Sequence, residues 1–287
     1  MISFMQILKK YISILNWVKP QYTLAELINI KSCSEQYELL IKFLSPEKRR
    51  SLKLILQSID KAMGNGYEII CPTNTGYPSD LQKVFNRPTP LMYKGSLKLS
   101  SFNIGVVGSR RPQITTNDWL KSELYDVLCE LKKEGAQINI LSGGAYGVDQ
   151  MAHKVSLLAG IPTICFLPTG VNECYPKTLE PLAKKILDNG GAVVSPFPPN
   201  FPIFKSNFYF RNKILVLLSD LVLIAEARRR SGTIMTANMA VSSGKSTVVL
   251  PQAAIKNCLG SLDLIESGVP IIRGKKDLIC TVKELNF

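Results

Sequence analysis

Short apolar runs separated by amphipathic stretches set the rhythm of the chain from Phe102 onward. Six runs have the length and composition of buried strands: Ile104–Val107, Ile138–Leu141, Thr163–Leu167, Ala192–Val194, Leu221–Ile224 and Thr247–Leu250. Between them lie segments with apolar residues at helical spacing: Asp118–Glu134, Asp149–Leu158, Leu182–Asn189, Asn212–Ser219 and Met235–Ser242. Continuous apolar strands alternating with amphipathic helices are the pattern of a parallel sheet covered on both faces. The expectation is α/β: an extended Rossmann-like doubly wound sheet. In such sheets ligands sit at the carboxyl ends of the strands.

The first part of the chain has a different period. Apolar residues recur at helical spacing in Ile7–Val18, Leu24–Ile30, Tyr37–Leu44 and Leu52–Ile59, with Pro20 and Pro46 as punctuation. Residues 1–62 read as a small N-terminal helical domain and residues 63–287 as the α/β domain. A turn-rich connection opens the second, carrying strands at Tyr67–Cys71 and Leu91–Tyr93. The segment Met1–Val18 is interrupted by Lys9 and Lys10, too early for a bilayer span. It also lacks a small-residue cleavage site. The expectation is a helix packed on its own domain, with no membrane insertion.

Charge narrows the class of partner. The 287 residues carry 35 Lys+Arg against 22 Asp+Glu, a formal net charge of +13. A basic balance suits a polyanion such as nucleic acid or an acidic membrane surface. The seven cysteines form no CxxC pair and there is one histidine, so no metal site is expected. A scattered, odd set of cysteines fits reduced thiols in the cytoplasm, and Cys165, inside an apolar run, reads as a core residue.

The strand-end rule converts the pattern into a candidate site. Gly108-Ser109-Arg110-Arg111 follows the first strand. Ser142-Gly143-Gly144-Ala145 follows the second and leads through Gly147 and Asp149 into a helix. Pro168-Thr169-Gly170 follows the third, a long loop Ser195–Phe210 the fourth, and Glu226–Thr233 the fifth. Hydroxyls, backbone N–H groups and guanidiniums dominate these ends, the chemistry of phosphate binding.

Other chemistries fit less well. The glycine pattern at Gly105–Gly108 lacks the third glycine of a dinucleotide fingerprint. Gly244-Lys245-Ser246 resembles the tail of a P-loop without its upstream glycine, and Lys245 reads as a surface cation. A serine triad needs a histidine, and His153 reads as a packing or helix-face residue rather than a base. Asp149 is expected to bond within the glycine turn. Glu226 is the best carboxylate for chemistry, or else is held in a structural ion pair by Arg228–Arg230. The segment Lys205–Lys213 alternates cations with aromatics, the mixture that binds single-stranded nucleic acid: cations track phosphates and rings stack on bases. Phe208 and Phe210 have the alternative use of anchoring a loop in the core.

Ordered motifs then resemble those of the DNA-processing protein A (DprA, or Smf) family. They are Tyr77-Pro78-x-x-Leu81, Pro90-Leu91-x-Tyr93-x-Gly95, Gly105–Arg110, Ser142–His153, Tyr175-Pro176, Phe208-x-x-Arg211-Asn212-Lys213-Ile214 and Glu226–Ala237. The resemblance implies a binding protein, not an enzyme, with no cofactor. It implies a single-stranded DNA-binding recombination mediator of natural transformation, protecting incoming strands and helping load a RecA-type recombinase, as a homodimer. It implies a helical N-terminal domain of the SAM or HhH kind. Carried onto matching positions, it implies that Arg110 and Arg211 grip phosphate, Lys205 and Lys213 add charge and Phe208 stacks on a base. Ser109, Gly143, Gly144, Ser231, Gly232 and Thr233 supply close donors. The apolar stretch Leu262–Ile272 is the candidate dimer contact. Departures at Pro168–Asn172, Ser195-Pro196, Pro251-Gln252 and Gly260–Leu262 mark a diverged member, and no winged-helix unit is expected before Phe287. The competing class is a nucleotide hydrolase of the lysine-decarboxylase-like phosphoribohydrolase type. Its PGGxGT-type motif is absent.

Overall fold

The computed structural model describes residues 46–72, 74–84, 90–250 and 258–286. The helical segments expected before Pro46, and Pro251 after the last strand, lie outside the described residues. Backbone contacts divide the chain into two compact units. The first takes the described residues of Met1–Tyr93 with two later loops, Thr169–Asn172 and Ser195–Pro202. The second takes Lys94–Pro168, Glu173–Val194 and Ile203–Phe287. Within the first unit the Tyr67 N–H bonds back to the Ala62 carbonyl, tying the end of the helix to the strand that follows.

In the first unit, α1 (Pro46–Gly64) leads to β1 (Glu68–Ile70), α2 (Ser79–Val84) and β2 (Leu91–Gly95). The two strands pair antiparallel, Glu68 opposite Tyr93 and Ile70 opposite Leu91. Ile59, Leu81, Leu91 and Met92 are buried. The Tyr67 hydroxyl donates to the Val171 carbonyl at 3.0 Å, and the Ser195 hydroxyl to the Thr169 carbonyl at 2.6 Å, which fixes both later loops.

The second unit holds the sheet. Its strands are β3 (Phe102–Gly108), β4 (Ile138–Ser142), β5 (Thr163–Phe166), β6 (Ala192–Ser195), β7 (Leu221–Glu226) and β8 (Ser246–Val249). They run parallel in the order β6–β5–β4–β3–β7–β8. Nearly every strand residue is buried, which is why these stretches read as continuous rather than alternating apolar runs. Helices α3 (Ile114–Trp119) and α4 (Tyr125–Lys133), joined by a wider π turn at Leu120–Leu124, precede β4. Then come α5 (Val148–Leu158), α6 (Glu180–Asp188), α7 (Lys205–Leu218) and α8 (Gly232–Ser242). The chain closes with α9 (Leu259–Glu266) and α10 (Lys275–Asn286). Leu120, Leu124, Leu128, Val155 and Ile279 pack with Ile104, Ile140 and Leu223 in the main core. Leu179, Leu182 and Ile186 pack with Cys165 and Val193 in a second cluster.

Two elements begin earlier than their periodicity predicts. The α7 helix starts at Lys205, so Lys205–Phe210 is helix where the sequence reads as loop. The α8 helix starts at Gly232 because the Ser231 hydroxyl accepts the Ile234 N–H, a serine N-cap. In the stretch Leu262–Ile272, Leu264, Val269 and Ile272 are buried within the unit itself.

The strand order creates one switch point. From β3 the chain crosses to β4 on one side, whereas β7, its other neighbour, continues to β8 on the far side. The turns after β3 and β7 therefore part and leave a crevice at the carboxyl edge.

Candidate nucleic-acid interface

The crevice is a cavity of about 550 Å³. One wall is the turn after β3, Gly108–Arg111; the other is Arg228 and the start of α8 at Ser231, Gly232 and Thr233. Phe208 and Arg211 of α7 and Asp149 of α5 complete it. Arg110, Arg111 and Arg228 are exposed. The turn that carries the first two is built tightly: the Ser109 hydroxyl accepts the Arg111 N–H at 3.2 Å, and the Ser109 carbonyl accepts the Val148 N–H at 3.1 Å. Across the gap, Arg228 donates to the Arg111 carbonyl at 3.3 Å. The first N–H groups of a helix have no intrahelical partner, so the α8 terminus at Gly232 and Thr233 presents donors and positive potential to the cavity.

Arg211 is the hub beneath. It is 3% exposed, and its Nη1 donates to the carbonyls of Gly143 and Phe166. This explains Gly143: a Cβ there would collide with the Arg211 guanidinium. Gly147 has φ 77°, a conformation that suits glycine, and it lets α5 start against the Ser109 carbonyl. Asp149 follows, buried, its Oδ2 accepting the Ala145 N–H at 3.2 Å. Burial raises the Asp149 carboxyl to about 6, against the lowering pull of Arg211. Burial likewise pulls Arg211 below its usual range, with Asp149 opposing. His153, one turn on, is fully buried; burial and then Arg211 lower it to about 3. Its Nδ1 lies 2.7 Å from the Thr163 hydroxyl, which itself donates to the Ile140 carbonyl. The imidazole is therefore a neutral Nδ1–H donor, a packing residue rather than a base.

Phe208 stands between the cations. The guanidinium of Arg110 lies 5.4 Å from its ring centre and that of Arg211 5.9 Å, cation–π distances. Tyr175, preceding a cis proline, meets the ring edge-on at 5.7 Å. Phe208 remains half-exposed at the crevice.

Of the eleven expected residues, seven line the cavity: Ser109, Arg110, Phe208, Arg211, Ser231, Gly232 and Thr233. Gly143 and Gly144 do not; they pack inward, against Arg211 and against Leu179 and Cys165. Lys205 and Lys213 lie on α7 outside the lining. Glu226 is buried, and its Oε2 accepts the Gln113 N–H and the Thr116 hydroxyl, both at 2.8 Å. It anchors the start of α3 and is not held by the arginines, of which Arg229 pairs with Asp263. Arg111, Arg228, Asn212 and Thr236 also line the cavity; the sequence placed the first two in the strand-end loops without naming them as binding residues. The switch-point rule, applied to the paired ends of β3 and β7, singles out the first two.

A doubly wound α/β fold with a cation-rimmed crevice at its switch point is the class defined so far. The chain belongs to the DNA recombination-mediator protein A family, whose profile matches residues 68–283. It is 37% identical over 177 residues to Protein Smf of Escherichia coli, covering 61% of this chain and 46% of that one. It is 32% identical over 205 residues to DNA processing protein DprA of Streptococcus pneumoniae, covering 71% of this chain and 70% of the relative. The chain thus spans about half of the first relative's length. The crystal structure of the pneumococcal DprA superposes with a TM-score of 0.70 at 26% identity, covering 97% of this chain and 93% of the other. DNA processing protein A from Helicobacter pylori, solved for its single-stranded DNA binding mode, gives 0.66 at 28% identity, covering 76% and 96%.

Proposed function

We propose that the protein binds single-stranded DNA in the crevice between β3 and β7, without catalysis or cofactor. In this reading it shields incoming strands during DNA uptake and passes them to a RecA-type recombinase, acting as a homodimer in the cytoplasm. One observation carries the reading: three exposed guanidiniums and a helix N-terminus surround a cavity whose acid, Asp149, is already engaged by a backbone N–H and beside Arg211. Such a site attracts phosphate and offers no free base. The single-stranded DNA binding of the Helicobacter pylori relative supports it. Phosphates would lie along Arg110, Arg111 and the α8 terminus, with Phe208 presenting a face to a base.

The test is titration of a labelled oligonucleotide with wild type and Arg110→Ala, followed by fluorescence anisotropy. Affinity is expected to fall about tenfold, equally for every sequence, since a phosphate contact carries no sequence information. Unchanged affinity in Arg110→Ala, together with turnover of a mononucleotide, would overturn the proposal in favour of a phosphoribohydrolase-type enzyme.

A further inference from the structure

A second concavity lies on the same unit, away from the arginines. On α5, Gln150, Lys154 and Leu158 fall at i, i+4 and i+8; on α6, Pro181 and Lys185 fall at i and i+4, with Asn189 capping the helix one turn on. Residues at this spacing share one helix face. The two stripes flank a groove of about 500 Å³. Its apolar wall includes Leu157 and Leu182, which rest on the second core cluster. Leu158 is 76% exposed, among the most exposed large apolar residues described. Among the described residues, the only ionisable groups lining the groove are Lys154 and Lys185. Neither has a carboxylate partner among the described residues; the neighbouring Lys184 pairs with Asp188 at 2.8 Å.

The geometry points to this groove as a docking site for a short amphipathic helix of another protein, with carboxylates flanking leucine- or phenylalanine-type anchors. Charge complementarity selects that occupant. A two-fold contact with a second copy would set lysines against lysines. A nucleic-acid strand would satisfy the lysines and leave Leu158 in water. An acidic amphipathic helix satisfies both, in the helix-in-groove mode. From Gln150 to Leu158 the wall runs about 12 Å, roughly two helical turns. The groove opens one residue beyond Asp149, and Gln150 donates to the Gly144 carbonyl at 3.2 Å. An occupant would therefore stand beside the glycine turn of the crevice.

The probe is a fluorescein-labelled helical peptide of about fifteen residues, with leucines on one face and glutamates on its flanks, titrated against the full chain. Its controls are a scrambled isomer and a version with lysine for glutamate. Saturable binding of the acidic amphipathic peptide alone is expected. Leu158→Asp, and separately Lys154→Glu with Lys185→Glu, should each weaken it about tenfold and leave the salt slope of oligonucleotide affinity and the melting temperature unmoved. Absent binding, equal binding of either control, or indifference to both variants overturns the assignment. So does loss of self-association in Leu158→Asp, which would make the groove a contact between copies. Because oligonucleotide affinity is read separately, failure of the groove leaves the DNA-binding reading standing.

Discussion

Asp149 and His153 sit one helical turn apart on α5, and their protons act on stability in opposite senses. Asp149 has its folded pKa raised from 3.8 to about 6. The native state therefore holds that proton more tightly, and the associated stability is present below pH 3.8 and lost as pH rises through about 6. His153 has its folded pKa lowered from 6.5 to about 3. Its contribution is present above pH 6.5 and lost as pH falls towards 3. Over the window from about 6 down to about 4 the two slopes oppose, and their joint contribution is nearly flat. Asp149→Asn should expose the histidine slope, so that stability falls as pH drops below 6.5. His153→Asn should expose the carboxyl slope, so that stability rises as pH drops from 6 towards 4. Urea midpoints across pH read both; parallel profiles in the two variants would contradict this account. The sequence showed the pair at i, i+4 and gave both a structural role. It could not show that Arg211, distant in the chain, lies close enough to bias both.

At the level of elements, α7 decides how the crevice works. Its sequence mixes Lys205, Asn207 and three aromatics before any regular apolar stripe appears, which reads as a loop running into a helix at Asn212. Tertiary contacts overrule that pattern. Asn207 donates to the Pro168 carbonyl at 2.9 Å, and Arg211 reaches the ends of β4 and β5. The first two turns are thus fixed by polar bonds to strand ends, a signal that periodicity does not carry. Strands suffered no such confusion, because each expected apolar run was buried on both faces. The helical start also decides the role of Phe208, whose ring lies half-exposed beside Arg110 rather than in the core. Phe208→Ala should cost single-stranded DNA about 1–3 kcal/mol of binding free energy, the range for a lost base stack. The same variant should melt near wild type, since the ring anchors no cluster of its own. Retained affinity with a lowered melting temperature would make Phe208 a packing residue instead.

For the whole molecule the question is how far its net charge of +13 acts through one crevice. Diffuse positive charge attracts any polyanion, whereas phosphates held at fixed guanidiniums release a definite number of counterions. Some cations are neutralised locally: Lys184, Arg229, Lys275 and Lys283 each pair with an acid on their own surface. Arg110, Arg111 and Arg228 border the cavity instead, two after β3 and one after β7. The third arginine was visible in the sequence as part of the loop after the fifth strand and as a neighbour of Glu226; its place opposite Arg111 depends on β7 pairing with β3. If these three hold separate phosphates, the slope of log affinity against log salt for single strands should be about −0.7 for each. Arg110→Ala, Arg111→Ala and Arg228→Ala should each flatten it by about that amount, and together remove about 2 from its magnitude. Substituting Lys275, on the distant α10, should lower affinity slightly at low salt and leave the slope alone. Equal flattening by Lys275→Ala and by the arginine variants would mean that net charge, not the crevice, binds the strand.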